Sequence, residues 1–290
     1  MSKPRLPELL LVLSMIALAT GLAACSEEDS SDSTSAASVS LSDCTPEELG
    51  TVAAGKLTIA TDDPAFPPYF EDNDPTNGKG FESAVGFAIA EQLGYSPDQV
   101  EWTVEPFNSS YAPGPKDFDF DLNQISITKK RAEQVNFSSP YYTADQAVVA
   151  IPGTLPDDLA TTSDLADAKI GVQIGTTSLD AVTESIEPAE EPVVYDNSND
   201  VVTALEQGQV DAIVVDTPTA LYLTAVQVQD AEIVGEFSAP GGDEWGALLQ
   251  KDSALTGCIS AAVDELKSSG ELAEIQERWI NSAGGVPSLD

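Results

Sequence analysis

From Leu57 onward, short runs rich in β-branched residues alternate with longer stretches whose apolar positions recur at helical spacing. The runs predict strands at 57–61, 100–104, 118–125, 147–151, 169–174, 193–195, 212–215 and 232–234. The longer stretches predict helices at 81–93, 178–186, 200–207, 217–226, 254–268 and 272–280. Strand and helix in alternation imply an α/β protein with mostly parallel sheets. In such sheets ligands bind beyond the carboxyl ends of strands, where loops meet helix starts. Four post-strand loops therefore carry the interest: Asp62–Tyr69, Asn123–Arg131, Gly175–Ser178 and Asp216–Pro218.

The N-terminal pattern is different. Lys3 and Arg5 precede an apolar run at 9–19, too short for a comfortable membrane span, and Leu22-Ala23-Ala24-Cys25 follows. This order fits a secretory signal peptide over 1–24 ending in a bacterial lipobox, with Cys25 acylated as the first mature residue. Residues 25–42, rich in Ser, Asp, Glu and Ala, lack apolar periodicity and read as a flexible tether. Two cysteines remain, Cys44 and Cys258. In an oxidising compartment they are a disulfide candidate, with two buried free thiols as the alternative.

Composition removes options. The 290 residues allow two lobes, and 42% hydrophobic content is that of a folded chain. There is no histidine, so no Ser-His-Asp triad and no His-ligated zinc. No phosphate loop is present, and neither a metal nor a cofactor is expected. A formal charge of -37 argues against nucleic acid as a partner.

The loops hold the parts of a zwitterion receptor. Arg131 is one of three arginines, and a guanidinium fork matches a carboxylate. Ser126 precedes it by five residues. Thr176 and Thr177 open a helix, where free N–H groups favour an anion. Asp216 offers a carboxylate to an ammonium, and Phe66 and Tyr69 offer aromatic walls.

In order and spacing, the segments GKLTIATD, FPPYF, GFESAVGFAIAEQLGY, NQISITKKRAEQVNFSSPYY, KIGVQIGTTSLD, VDAIVVDTPTALY, EWGALLQKDSAL and ELAEIQERWI resemble the extracytoplasmic solute-binding proteins of polar amino-acid ABC importers, over about 55–284. The resemblance implies a two-lobed periplasmic-binding-protein-like fold with two crossing hinge strands near 141–145 and 238–245. Lobe 1 would comprise 43–142 and 243–290, and lobe 2 would comprise 143–242. It assigns the ligand carboxylate to Arg131, Ser126 and the Thr177 backbone. It assigns the ligand amine to Asp216 and the Gln124 carbonyl, and the aromatic walls to Phe66, Tyr69 and Phe107. The segment 107–115 departs from the family, because its two prolines and glycine oppose a helix. Gln173 and Val215 stand where the glutamine binder has a basic residue and a histidine. Asp62 and Glu82 near the side-chain end favour a polar neutral or cationic amino acid; the alternative is that Asp62 caps a turn and Glu82 faces solvent.

The expected protein is a monomeric, lipid-anchored captor on the outer face of a cell membrane, in a Gram-positive or actinobacterial setting. It would serve the permease subunits of an ABC importer. An exported dehydratase of the same fold, acting on prephenate or arogenate, is the enzymatic alternative. A receptor domain of a membrane sensor is the other.

Overall fold

The computed structural model describes residues 39–156, 158–280 and 286–289. Cys25 and the expected signal peptide lie outside the described residues, as does the tether up to residue 38.

Among the described residues, ten strands form two five-stranded sheets. The first has the order β2-β1-β3-β10-β4, with β1 Leu57–Thr61, β2 Val100–Val104, β3 Phe120–Asp121, β4 Val135–Thr143 and β10 Glu244–Gln250. The second has the order β7-β6-β8-β5-β9, with β5 Gln146–Ala150, β6 Ile170–Gln173, β7 Val193–Tyr195, β8 Ala212–Asp216 and β9 Glu232–Phe237. The chain passes between sheets at 144–145 and again at 238–243.

Both sheets are mixed rather than mostly parallel. β1 runs parallel to β2 and β3, whereas β10 is antiparallel to β3 and β4. In the second sheet β6 is parallel to β7 and β8, whereas β5 is antiparallel to β8 and β9. The antiparallel members are the strands next to the two passages. The chain enters a sheet there from the far lobe, without the helical crossover that makes neighbours parallel.

Each sheet is covered on both faces. α1 (Phe81–Gln92) packs with α7 (Thr256–Ser269) and α8 (Glu271–Trp279) in the largest core cluster. Phe81, Val85 and Ile89 each have 0% exposure, worth about 1.5–3 kcal/mol apiece. α1 starts at Gly80, whose φ is 95° and whose missing Cβ would lie 2.4 Å from the Tyr69 carbonyl oxygen. Only glycine fits so tight an entry. The interior strands β1 and β5 are buried at every position, as strands covered on both sides must be.

Three short helices lie at the meeting of the sheets: α2 Phe107–Ser110, α3 Lys129–Ala132 and α4 Thr177–Ala181. α2 is a single turn, closed off before Pro113 and Gly114. α5 Ser198–Glu206 and α6 Thr217–Tyr222 flank the second sheet. The helices expected at 178–186 and 217–226 finish in π turns, Val182–Ile186 and Leu223–Gln227.

Cys44 and Cys258 form a disulfide, fastening the segment before β1 to α7. Residues 286–289, expected with the first lobe, lie on the second sheet. Ser288 bridges Glu236 of β9, and Leu289 is buried in the second core.

Candidate ligand-binding cleft

The apolar pattern predicts a strand through Ile125, but β3 stops at Asp121, because the backbone leaves the extended region. Gln124 has φ 48°, rare outside glycine and asparagine, and an anchor holds it there. Its N–H donates to Glu82 Oε1 at 2.7 Å, and its side-chain amide donates to the other oxygen. Glu82 has 0% exposure and also accepts from the Tyr141 hydroxyl. Burial pushes its carboxyl up to about 7, against the lowering effect of those three donors. Glu82 thus neither lines the cleft nor faces solvent; it props up the loop that does.

The cleft lies between the sheets. From the first side it is lined by Asp62, Phe66, Tyr69, Phe107, Asn123 and Gln124. From the second side come Gln173, Thr176, Ser178, Ser198, Val215, Asp216 and Thr219. Asp62 accepts backbone N–H donors from Asp63 at 2.8 Å and Phe107 at 3.3 Å. It therefore both caps a turn and faces the cleft, and burial raises its carboxyl despite those bonds. The Tyr69 hydroxyl meets Thr219 Oγ1 across the cleft at 2.8 Å.

Arg131, Ser126 and Thr177 come together beside the cleft. Thr128 caps α3 by accepting from the Arg131 N–H at 3.1 Å, which fixes where the arginine leaves the helix. The guanidinium donates to the Ser126 carbonyl at 2.7 Å and to the Gly175 carbonyl of the other lobe at 2.9 Å. It also stacks over Phe107 and Tyr111, 5.4 and 4.9 Å from their ring centres. Burial lowers its affinity for a proton, and nearby Tyr111, Asp243, Asp180 and Asp216 act the other way. Ser126 Oγ lies 3.1 Å from Thr177 Oγ1, again across the lobes. Thr176 caps α4 by accepting from the Leu179 N–H, which aims the helix start at the cleft.

Asp216 ends β8 at the start of α6. Burial is the first cause that pushes its carboxyl well up, and the neighbouring Asp243 is the second. Gln146 donates to both carboxylates. Gln146 and Asp243 were not among the expected site residues. One signal for Gln146 was present: a polar residue heading the apolar run Ala147–Ala150. Asp243 follows two glycines at positive φ in a passage with no periodicity to read. Trp245, with 0% exposure, packs against Tyr69, Tyr141 and Tyr142, so the joint behind the cleft is aromatic.

Two α/β lobes whose post-strand loops face one another across a narrow polar cleft, linked by two extended passages, define a two-lobed binding protein. Residues 57–282 match the bacterial extracellular solute-binding proteins, family 3, and the chain belongs to that family. Among curated relatives, the L-arginine-binding protein of Pseudomonas aeruginosa is 26% identical over 247 residues, 80% of this chain and 91% of that protein. Among solved structures, an ancestral arginine-binding protein bound to glutamine is 31% identical, with a TM-score of 0.66 over 79% of this chain and 100% of that one. An ancestral amino acid-binding protein described as a precursor of cyclohexadienyl dehydratase is 26% identical, with a TM-score of 0.64 over 78% of this chain and 95% of that one. The chain is a solute-binding protein rather than an enzyme, in keeping with relatives named for the ligands they bind.

Proposed function

We propose that the protein captures a free polar or cationic amino acid between its lobes and delivers it to the permease of an ABC importer. The observation that carries this reading is Asp216, a carboxylate lining the cleft at the start of α6, facing aromatic residues of the other lobe. Lobe 1 would be 43–142 with 243–280, and lobe 2 would be 143–242 with the segment 286–289; the hinges would fall at the two passages. Asp216 would take the ammonium, and Arg131, Ser126 and Thr177 the carboxylate. Gln124, Thr176, Phe66, Tyr69 and Phe107 would enclose the stem, and Asp62 would face the side-chain end. The relatives named for arginine and cystine support an amino-acid ligand. Lipidation of Cys25 would hold a monomer at the outer face of the membrane. A dehydratase gains nothing from Glu82, whose oxygens are engaged by Gln124 and Tyr141 away from the cleft.

Calorimetry against the twenty amino acids tests the reading. Arg131→Ala and Asp216→Ala are each expected to cost about 2–5 kcal/mol, roughly thirtyfold to several thousandfold in affinity, while the fold survives. Arg131→Lys should recover only part, since a point charge cannot replace a fork. An alanine variant binding within a few-fold of wild type removes that residue from the site.

A further inference from the structure

Behind the Asp216 end of the cleft is a buried polar joint in which one amide serves two acids. Gln146 has 0% exposure, and its Nε2 donates to Asp216 Oδ1 at 2.6 Å and to Asp243 Oδ2 at 2.8 Å. Both N–H groups of a trigonal amide are thus committed, which places the two accepting oxygens on the order of 5 Å apart. Asp243, 1% exposed, also accepts from Thr177 Oγ1 at 2.9 Å. Its Oδ1 and Gln146 Oε1 are buried with no hydrogen-bond partner among the described residues.

The charges do not balance. A neutral amide cannot offset two carboxylates, and Arg131 is the cation whose charge reaches both. Its N–H groups are directed at the Ser126 and Gly175 carbonyls, not at the acids. The other groups facing Asp216 are Glu82, Tyr69 and Tyr142, which add no positive charge. Asp145 and Glu236, near Tyr142, are acidic too. One unit of negative charge is left for a proton or a cation to neutralise.

We propose that Asp243 and Asp216 together form a two-carboxylate site for the amino group of the ligand, in which the ammonium takes the place of the Gln146 amide nitrogen. A tetrahedral ammonium making two ordinary hydrogen bonds spans oxygens roughly 4.6 Å apart, which is the spacing the amide keeps open. The inference rests on the amino-acid reading of the cleft and adds a residue outside its lining. With no ligand, the pair retains one proton. Burial raises both carboxyls, against Ser126, Thr177, Arg131 and Gln146 at Asp243 and Gln146 and Arg131 at Asp216, and the Asp243 charge raises Asp216 further. The incoming ammonium releases that proton, so affinity rises with pH as competition from the proton fades.

Calorimetry with L-arginine and L-glutamine as probes, in buffers of different ionisation heat from about pH 5 to about pH 8, reads the released proton directly. Wild type should release a substantial fraction of one proton per ligand. Asp243→Asn leaves Asp216 a lone carboxylate, still raised by burial but no longer by the Asp243 charge; proton release should shrink, and the affinity deficit should be about tenfold or more at the alkaline end and smaller at the acid end. Asp243→Ser provides the same comparison should the Asn variant misfold. A purely structural Asp243 would give an equal loss at every pH with proton release intact, and that result overturns the proposal. If neither these probes nor any other of the twenty amino acids binds wild type, the amino-acid reading fails by itself. Carbon-13 titration of the aspartate carboxyls in the ligand-free protein then decides the pair: Asp216 titrating high in wild type and lower in Asp243→Asn supports it, and Asp216 titrating as an ordinary carboxylate in wild type overturns it.

Discussion

Glu82 is a carboxylate with 0% exposure in the first turn of α1, an element whose other buried positions are mostly apolar. It accepts twice from Gln124, which holds that residue in its left-handed conformation, and once from the Tyr141 hydroxyl, so a buried acid shapes the cleft without lining it. With a carboxyl raised to about 7, the folded protein binds a proton that the unfolded chain has already released above its ordinary value of 4.5. Stability therefore falls as pH rises from the lower value through the upper, by about 3 kcal/mol at most. Glu82→Gln cannot ionise and escapes that loss, but exchanges an acceptor oxygen for a donor. Denaturant melts should show the variant gaining on wild type from about pH 5 to about pH 8, whatever their order at the acid end. A difference in stability independent of pH would mean that Glu82 titrates normally.

The terminal segment acts at the scale of an element. Glu236 N–H donates to the Pro287 carbonyl at 2.7 Å, and Leu289 N–H donates to the Glu236 carbonyl at 2.8 Å. The segment 286–289 thereby pairs with the outer edge of β9 at Glu236, whose backbone groups would otherwise be offered to another chain. Gly235 makes room: a Cβ there would lie 2.6 Å from Leu289 Cγ. Leu289, 4% exposed, fills the second core. Leu289→Ala should destabilise the second lobe by about 2 kcal/mol, the low end for a buried leucine. Hydrogen exchange at the Glu236 amide should accelerate in the same variant. Unchanged exchange there would show that the strand holds without its leucine. No periodicity marks this segment, since four residues joined to the sheet by a single bridge have too few positions to establish one.

For the whole molecule, polar contacts between the lobes among the described residues include Tyr69 with Thr219, Ser126 with Thr177, Arg131 with Gly175, the Asn108 amide with the Asp196 carbonyl at 3.4 Å, and the bonds from Gln146 and Thr177 to Asp243. A neutral hydrogen bond is worth about 1 kcal/mol net and one to a charged group about 1.5–3 kcal/mol, so on the proposed reading a ligand contacting both sides would shift the balance toward the closed form. Proposed attachment at Cys25 would keep this opening and closing near a membrane permease. The mature N-terminus should carry the mass of a diacylglyceryl cysteine, and Cys25→Ser should leave the precursor unacylated. An unmodified wild-type N-terminus would refute the anchor. The net charge of -37 favours solubility and keeps the body of the protein away from anionic surfaces.

The sequence by itself determined the class of the fold, most strand and helix positions, and the loops that reach the cleft. Apolar periodicity is a local property, and β1, β2 and β7 run over the residues it predicts. It also made Cys44 and Cys258 a candidate pair, and they are bonded. Tertiary structure alone decided the rest. β4 and β10 carry Ser, Asn, Pro and Gly among their apolar residues, so their strand character comes from pairing with one another across the joint. Arg131, Asp216, Gln146 and Asp243 lie as much as 112 positions apart in the chain. What any one of those charges does depends on burial and on its neighbours, and both are set only when the two passages bring the lobes together.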